Sequence, residues 1–414
     1  MEQSETGICV IGAGLIGLAT AWSLLQRGHQ VTIVDPDRPG HGASFGNAAT
    51  LATYAVAPIA HPGLWARMPG LLFSDTSPFR IRWQRLPRLA PWLFRFLRET
   101  SPGRASDNAM VLCRFLEPAL EDWRALLADI EADGLLLRRG CLYFHTDSAG
   151  MRGAQGEIAM RDRLGVHQQI LSADDVARLE PSLAGRSAGG VLFPDAAHVN
   201  DPLAVSQALA SAIACRGGHF LEARVTGLRG NGAGVVVATD QGELAAERAV
   251  VAAGAWSGSL ARMVGDRIPL DTERGYHLEF PMDTPLLERP CCPVERAFYM
   301  TPLSGRLRVA GTVELGSIDD AASEERFRFL QAGAESILGR DLGEPSSRWL
   351  GFRPSMPDSL PVIGPSGRND RVIYAFGHGH LGLTMAATTG RLVADVIAGT
   401  APEWLAGCSA ARFY

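Results

Sequence analysis

Three glycines spaced Gly12-x-Gly14-x-x-Gly17 are the first residues in the chain whose pattern suggests chemistry. They follow a short β-branched apolar run, Gly7 to Ile11. They precede a stretch of good helix formers, Leu18 to Arg27, which Gly28 stops. A second β-branched run, Val31 to Val34, ends at Asp35, 18 positions beyond Gly17. Strand, glycine turn, helix and a second strand closed by a carboxylate together form a unit that holds dinucleotides. Glycines permit the tight turn, and the helix N-terminus offers unpaired N–H groups and a positive dipole end to a pyrophosphate. Gly12, Gly14, Leu15, Ile16 and Gly17 are therefore candidate pyrophosphate contacts, and Asp35 is the candidate acceptor for ribose hydroxyls. The competing explanation, a plain glycine turn in another α/β protein, does not account for the strand, the helix and the acid around it.

A second glycine loop lies near the C-terminus: Phe376-Gly-His-Gly-His-Leu-Gly-Leu-Thr384. It sits between a strand, Arg371 to Phe376, and a helix from Leu383 to about Ile397 that ends at Gly399. A second helix N-terminus aimed at a ligand stabilises negative charge, such as that on the N1–C2=O edge of a reduced flavin. His378 and His380 could instead pack within the loop or bind zinc. No further ligand cluster accompanies them, so no metal site is expected. The segment Gly42-Ala-Ser-Phe-Gly46 fits the G-x-S-x-G pattern of hydrolases but lacks the strand and helix that a nucleophile elbow needs.

Composition narrows the classes further. The 39 basic residues among 414 are all arginine, which excludes a lysine Schiff base, a P-loop lysine and a kinase strand lysine. The net charge of -5 argues against a nucleic-acid partner. Seven scattered cysteines with no C-x-x-C give no zinc, dithiol or iron–sulfur pattern and fit a reducing compartment. The polar, acidic start lacks the features of a signal peptide, so a cytoplasmic location is expected. Aromatic and arginine residues mix from 64 to 98, including Trp65, Arg67, Phe73, Trp92 and Arg95. Core packing with a solvated basic face explains that mixture; contact with the inner face of an anionic membrane is the alternative.

The remaining elements position these residues. A helix is expected over 106–132, short helices over 151–164 and 173–179, and a helix from Asp201 to Arg216 with Asp201 as N-cap and Pro202 first. Three strands then form a meander that ends in Val250-Val-Ala-Ala253, followed by Gly254-Ala-Trp-Ser257. This late strand and Gly-Ala loop resemble the return segment of FAD-binding folds of the glutathione-reductase type. The fold class is α/β, α+β overall: an FAD-binding Rossmann-like domain interleaved with a mixed-sheet substrate domain. The expected division is 1–62, 190–265 and 352–414 for the first, and 63–189 and 266–351 for the second.

Taken together, the chain resembles the FAD-dependent D-amino acid dehydrogenases of the D-amino acid oxidase-type flavoproteins over nearly its whole length. The resemblance rests on Val10-Ile-Gly-Ala-Gly-Leu-Ile-Gly, Ala43-Ser-Phe-Gly-Asn-Ala-Ala, Val251-Ala-Ala-Gly-Ala-Trp-Ser and Arg274-Gly-Tyr-His-Leu. It continues in Gly351-Phe-Arg-Pro-Ser-Met-Pro-Asp-Ser-Leu-Pro-Val-Ile-Gly and Gly377-His-Gly-His-Leu-Gly-Leu-Thr-Met-Ala. It implies that Gly12, Gly14, Gly17 and Asp35 hold the ADP half of FAD and that Ser44 and Asn47 lie along the pyrophosphate and flavin. Val225, Ala253 and Gly254 border the dinucleotide; Gly364 and His378, Gly379, His380, Leu381, Gly382, Leu383 and Thr384 line the isoalloxazine.

Arg353 matches the arginine that grips the substrate carboxylate, a bidentate task suited to a guanidinium. Tyr276 and Tyr54 match tyrosines at the substrate, with His61 and His277 as weaker candidates. Each of these has an ordinary alternative: a surface ion pair for Arg353, a core position for the tyrosines. The implied reaction is oxidative deamination of a small D-amino acid, giving an imino and then a keto acid, or a cyclic imine from D-proline-type substrates. The context Leu270-Asp-Thr-Glu-Arg-Gly-Tyr-His leans toward the D-proline and hydroxy-D-proline branch. Electrons would pass to a quinone or another redox protein, and some such enzymes work with partner subunits. Alternatives are a glycine or sarcosine-type amine oxidase using oxygen, a tRNA-modification module and a flavin-binding scaffold.

Overall fold

The computed structural model describes residues 6–64, 79–230, 232 and 234–414. Its strands form three sheets among the described residues. The first contains β1 (Thr6–Ile11), β2 (Val31–Asp35), β10 (His219–Glu222), β11 (Val225–Gly230), β12 (Val235–Thr239), β13 (Gly242–Val251), β19 (Val362–Pro365) and β20 (Val372–Phe376). The second contains β4 (Phe79–Ile81), β6 (Cys141–His145), β7 (Gln169–Leu171), β8 (Gly189–Phe193), β14 (Asp271–Pro281), β15 (Cys291–Pro293), β16 (Phe298–Leu303), β17 (Arg306–Leu315) and β18 (Ser347–Ser355). A small third sheet joins β3 (Thr50–Leu51), β5 (Leu136–Leu137) and β9 (Ala197–Val199).

In the first sheet β10, β2, β1, β13 and β20 run parallel. Such strands are covered on both faces and read as near-continuous apolar runs, as Ile8–Ile11 and, with the buried Thr32, Val31–Val34 do. The long β13 serves two ladders: its first half closes an antiparallel meander with β12 and β11, and its second half joins the parallel strands. Over one face, the helix Leu15–Gln26 packs against the helix Gly382–Ala398. Gly390 makes that approach close, since a Cβ there would stand 2.5 Å from the Ala19 carbonyl oxygen. Together with the short turn before it, the C-terminal helix forms a segment, Gly379–Ala398, long and apolar enough to cross a membrane, yet 67% of its most apolar window is buried within the fold.

The second sheet is mainly antiparallel and carries the helix Glu324–Leu338 on one face. Leu278, Phe280, Phe298 and Met300 pack there with Phe327 and Leu330. The expected boundaries at 190 and 352 fall inside β8 and β18, and both strands belong to this second sheet. The single helix expected over 106–132 is two, Pro102–Leu116 and Ala119–Asp129, because Pro118 between them has no N–H to continue the ladder. The N-cap expected at Asp201 is present, its carboxylate accepting from the Leu203 and Ala204 N–H groups at 2.9 and 3.3 Å. Of the stretch 64–98, Trp65, Arg67 and Phe73 lie outside the described residues. Within the rest, Arg80, Arg82 and Arg85 pair with Glu325, Glu314 and Asp320, so part of the basic character serves internal docking.

Candidate active site

A cavity of about 1050 Å³ runs between the first and second sheets. One end lies at the carboxyl ends of β1 and β2, where open α/β sheets bind ligands. Gly12, Gly14, Leu15, Ile16 and Asp35 line this end with Val225, Ala253 and Gly254. The three motif glycines do different work. Gly12 has φ +115°, and a Cβ there would stand 2.4 Å from the Ala252 carbonyl oxygen. A Cβ on Gly17 would stand 1.9 Å from the Gly12 carbonyl oxygen, so Gly17 sits beneath the turn and off the cavity wall. Gly14 faces open space, its nearest neighbour for a Cβ being Ser44 Oγ at 3.2 Å. The Ser44 hydroxyl accepts the first helical N–H, from Leu15, at 2.9 Å. Asp35 accepts from the Ala13 and Asp37 N–H groups at 2.7 and 2.9 Å, and burial raises its carboxyl above the usual range.

The other end is formed by β14, β16, β17, β18 and the second glycine loop. His378, Gly379, His380, Gly382 and Leu383 line it together with Ser44 and Asn47 farther along. His378 is buried, hydrogen-bonded to Thr389 Oγ1 at 3.0 Å, and burial holds its imidazole down to about 3. His380 is exposed on the cavity wall, where desolvation by the surrounding protein and nearby Arg353 hold it down to about 4. Both rings are therefore neutral near pH 7. Arg353 projects from β18 into the cavity, and its Nη1 donates to the Thr312 carbonyl at 2.8 Å. Its guanidinium has room because the residue diagonally across the ladder is glycine: a Cβ on Gly275 would stand 2.5 Å from Arg353 Nη2. Glu273, buried on β14, pairs across the ladder with Arg353. Thr312 Oγ1, buried at the same end, has no hydrogen-bond partner among the described residues.

Several expected positions lie elsewhere. Tyr276 is 1% exposed and off the cavity. Side chains alternate along a strand, so Gly275 meets the cavity while Tyr276 joins Leu278 and Phe280 in the core under the helix Glu324–Leu338. Its hydroxyl donates to Glu314 Oε2 at 2.5 Å and accepts from the Ser323 N–H at 3.2 Å. Tyr54 is also buried, stacked on Phe193 with centroids 4.0 Å apart and bonded to Cys141 Sγ and Tyr299 Oη, each at 3.1 Å. It stands behind Tyr299 and does not reach the cavity surface. His277 stacks on Trp349, and His61 is half-buried; neither lines the cavity. Gly364 lies on β19 near Ser409, Leu381 packs into the core, and Thr384 Oγ1 accepts from the Ala52 N–H at 2.9 Å. Among the described residues no group of three or more His, Cys, Asp or Glu could hold a metal ion.

The tyrosines on the cavity wall are Tyr143 and Tyr299, whose hydroxyls are 2.6 Å apart. A signal for them was available. In Leu142-Tyr-Phe144 and Phe298-Tyr-Met300 the flanking residues are core, so period-two alternation turns each tyrosine to the other face. Arg38 and Arg224 also line the dinucleotide end and carry no motif that marks them, and Trp256, within the Gly254-Ala-Trp-Ser257 loop, joins them there. Replacing Tyr276 by phenylalanine is expected to lower folding stability by ~1–2 kcal/mol, with kcat/KM nearly unchanged. Thermal unfolding together with steady-state kinetics checks it, and a large rise in KM would return Tyr276 to the substrate.

Buried neutral histidines also set a pH dependence. His198, His277 and His378 are held down to about 4, 4 and 3 by burial, against 6.5 in an open chain. The unfolded chain binds protons that the folded protein refuses. Their stabilising contribution is complete above about pH 6.5 and is lost as pH falls toward 4, by ~2 kcal/mol per ring at about pH 5. Melting temperature should therefore drop between about pH 7 and about pH 5; a flat profile there would contradict the burial of these rings.

The residues present fit FAD. Two glycine-led helix N-termini face one elongated cavity, open space lies over Gly14 and Gly254, and a carboxylate stands at the ribose position. Fold and site thus define a flavin-type dinucleotide-dependent oxidoreductase. The chain belongs to the FAD dependent oxidoreductase (DAO) family, which matches residues 7–396. It is 38% identical over 419 residues to a D-amino-acid oxidase of Bradyrhizobium diazoefficiens, covering 98% of each chain. It is 33% identical to a D-amino acid dehydrogenase of Paramagnetospirillum magneticum, covering 95% of each. Its fold matches glycine oxidase from Geobacillus kaustophilus with a TM-score of 0.79 at 24% identity, over 99% of both chains. It also matches L-proline dehydrogenase from P. horikoshii with a TM-score of 0.75 at 18% identity, over 99% of this chain and 98% of that one.

Proposed function

We propose that this protein catalyses the FAD-dependent oxidative deamination of a small D-amino acid. The observation that carries this reading is Arg353, a guanidinium facing the same end of the cavity as the second glycine-led helix N-terminus. Its relatives named D-amino-acid oxidase and D-amino acid dehydrogenase support it. When bound, FAD supplies the two-electron acceptor for hydride from the substrate Cα.

The chain's own residues do the rest. Arg353 binds the carboxylate and fixes the amino acid against the cavity wall. Thr312 offers its hydroxyl nearby, and Tyr143 and Tyr299 add two hydroxyls from β6 and β16 of the same sheet. His380, uncharged, adds no second cation beside Arg353. Ile81, Leu93, Phe96 and Leu97 give that end an apolar wall that excludes water and accepts an apolar side chain. That wall favours an amino acid with a side chain over glycine or sarcosine. The imino acid formed hydrolyses in water to a keto acid; a proline-type substrate would leave as a cyclic imine.

Electrons pass onward to a quinone or another redox protein. The chain works in the cytoplasm, and contact with the inner face of the cell membrane is the alternative reading of its basic, aromatic stretch. Phe94, 65% exposed on the helix Leu86–Glu99 with Arg95 and Arg98 beside it in sequence, supports such a contact.

An anaerobic absorbance titration against paired D- and L-amino acids, D-proline, hydroxy-D-proline, sarcosine and glycine tests the proposal. Bleaching of the flavin band by D-enantiomers is the expected result. Slow recovery in air marks a dehydrogenase and fast recovery an oxidase. Bleaching by L-enantiomers or by glycine alone would overturn the substrate assignment.

A further inference from the structure

The loop Phe45–Ala48 presents four consecutive carbonyls to side chains of the second sheet. Arg308 Nη1 donates to the Phe45 and Asn47 carbonyls at 2.9 and 2.8 Å. Gly46 O lies 3.1 Å from His277 Nδ1, and Thr301 Oγ1 donates to Ala48 O at 2.8 Å. Arg308, His277 and Thr301 are each 0% exposed. In a planar trans peptide the N–H points opposite to the carbonyl of the same unit. Fixing carbonyls 45 to 47 on the sheet therefore turns the N–H groups of Gly46, Asn47 and Ala48 away from it. Those three residues line the cavity, and their N–H groups take no partner among the described residues. Successive N–H groups turned the same way make a cradle for anionic or carbonyl oxygens.

We infer that Arg308, assisted by His277 and Thr301, is a positioning residue that builds the cofactor-facing surface of this loop, so that the second sheet sets the affinity of the first for FAD. Arg308 is suited to this because it is held from behind. Glu279 Oε1 accepts from its Nε and Nη2 at 2.9 and 2.6 Å, and Arg306 bridges Glu279 to Asp201. With two of its nitrogens fixed, the planar guanidinium aims the third, Nη1, at the two loop carbonyls. A lysine would keep the charge opposite Glu279 but not the fork. The inference rests on the FAD site and not on which amino acid is oxidised.

The test titrates FAD into deflavinated protein by flavin fluorescence, alongside thermal unfolding of the flavin-free form. Three variants are compared: Thr301→Val, Arg308→Lys, and the pair Arg308→Met with Glu279→Gln, which leaves no unpaired buried charge. Thr301→Val should weaken FAD binding by about fivefold to tenfold, and the double variant by about 100-fold. Arg308→Lys should bind FAD nearly as poorly as the double variant while the flavin-free protein melts close to wild type. A dissociation constant within about twofold of wild type in Thr301→Val and the double variant would overturn the inference. So would full FAD affinity in Arg308→Lys, or losses of affinity that only track a lowered melting temperature of the flavin-free form.

Discussion

Arg353→Ala is expected to give a yellow protein whose kcat/KM falls by about 10²–10³-fold. Truncating one partner of an enclosed charge-assisted contact costs ~2–5 kcal/mol, and each ~1.4 kcal/mol is a factor of ten. The colour persists because the dinucleotide end is built by Gly12, Gly14, Asp35 and Gly254, none of which touches the guanidinium. Arg353→Lys should recover part of the loss, since an ammonium keeps the charge without the two-pronged geometry. A substrate analogue without a carboxylate should lose far less from the same substitution. Steady-state kinetics with flavin absorbance as the loading control reads all three. Unchanged kcat/KM in the alanine variant would remove Arg353 from the substrate site and leave the cavity without its anion anchor.

Gly14→Val should yield folded protein purified without flavin, its FAD affinity lowered by about 100-fold or more. The turn itself can accept the change, because a Cβ at Gly14 meets only the Ser44 hydroxyl at 3.2 Å. The added methyls instead occupy the space a pyrophosphate needs over the helix N-terminus. Gly12→Ala is the contrasting case. Its Cβ would stand 2.4 Å from a backbone oxygen at φ +115°, so the expected loss is of the fold itself. Circular dichroism separates the two, and a fully flavinated Gly14→Val protein would refute the pyrophosphate assignment.

How much of this was legible in the sequence differs from element to element. The opening strand–glycine–helix–strand unit was, because its signals are local: apolar runs, glycines at a fixed spacing and an acid closing β2. The second glycine loop was legible for the same reason, and so was Asp201 as a cap. The break between the two helices at Pro118 is local as well, since proline lacks the N–H that would continue the ladder. Resemblance points Tyr276 and Tyr54 to the substrate, whereas strand alternation turns Tyr276 into the core. That same alternation in β6 and β16 marks Tyr143 and Tyr299.

Sequence alone therefore determined the nucleotide-binding turn, which depends on residue type and short spacing, while its resemblance to a flavoprotein family implied the class of cofactor and the arginine suited to a carboxylate. Only the tertiary structure decided which tyrosines meet the cavity, that Gly275 leaves room for Arg353, and that Arg308 holds the Phe45–Ala48 loop. Those facts depend on strand register and on contacts between residues as far apart as Asn47 and Arg308, 261 positions along the chain. Local patterns carry no record of such pairings, because the packing of the two sheets against one another brings them together.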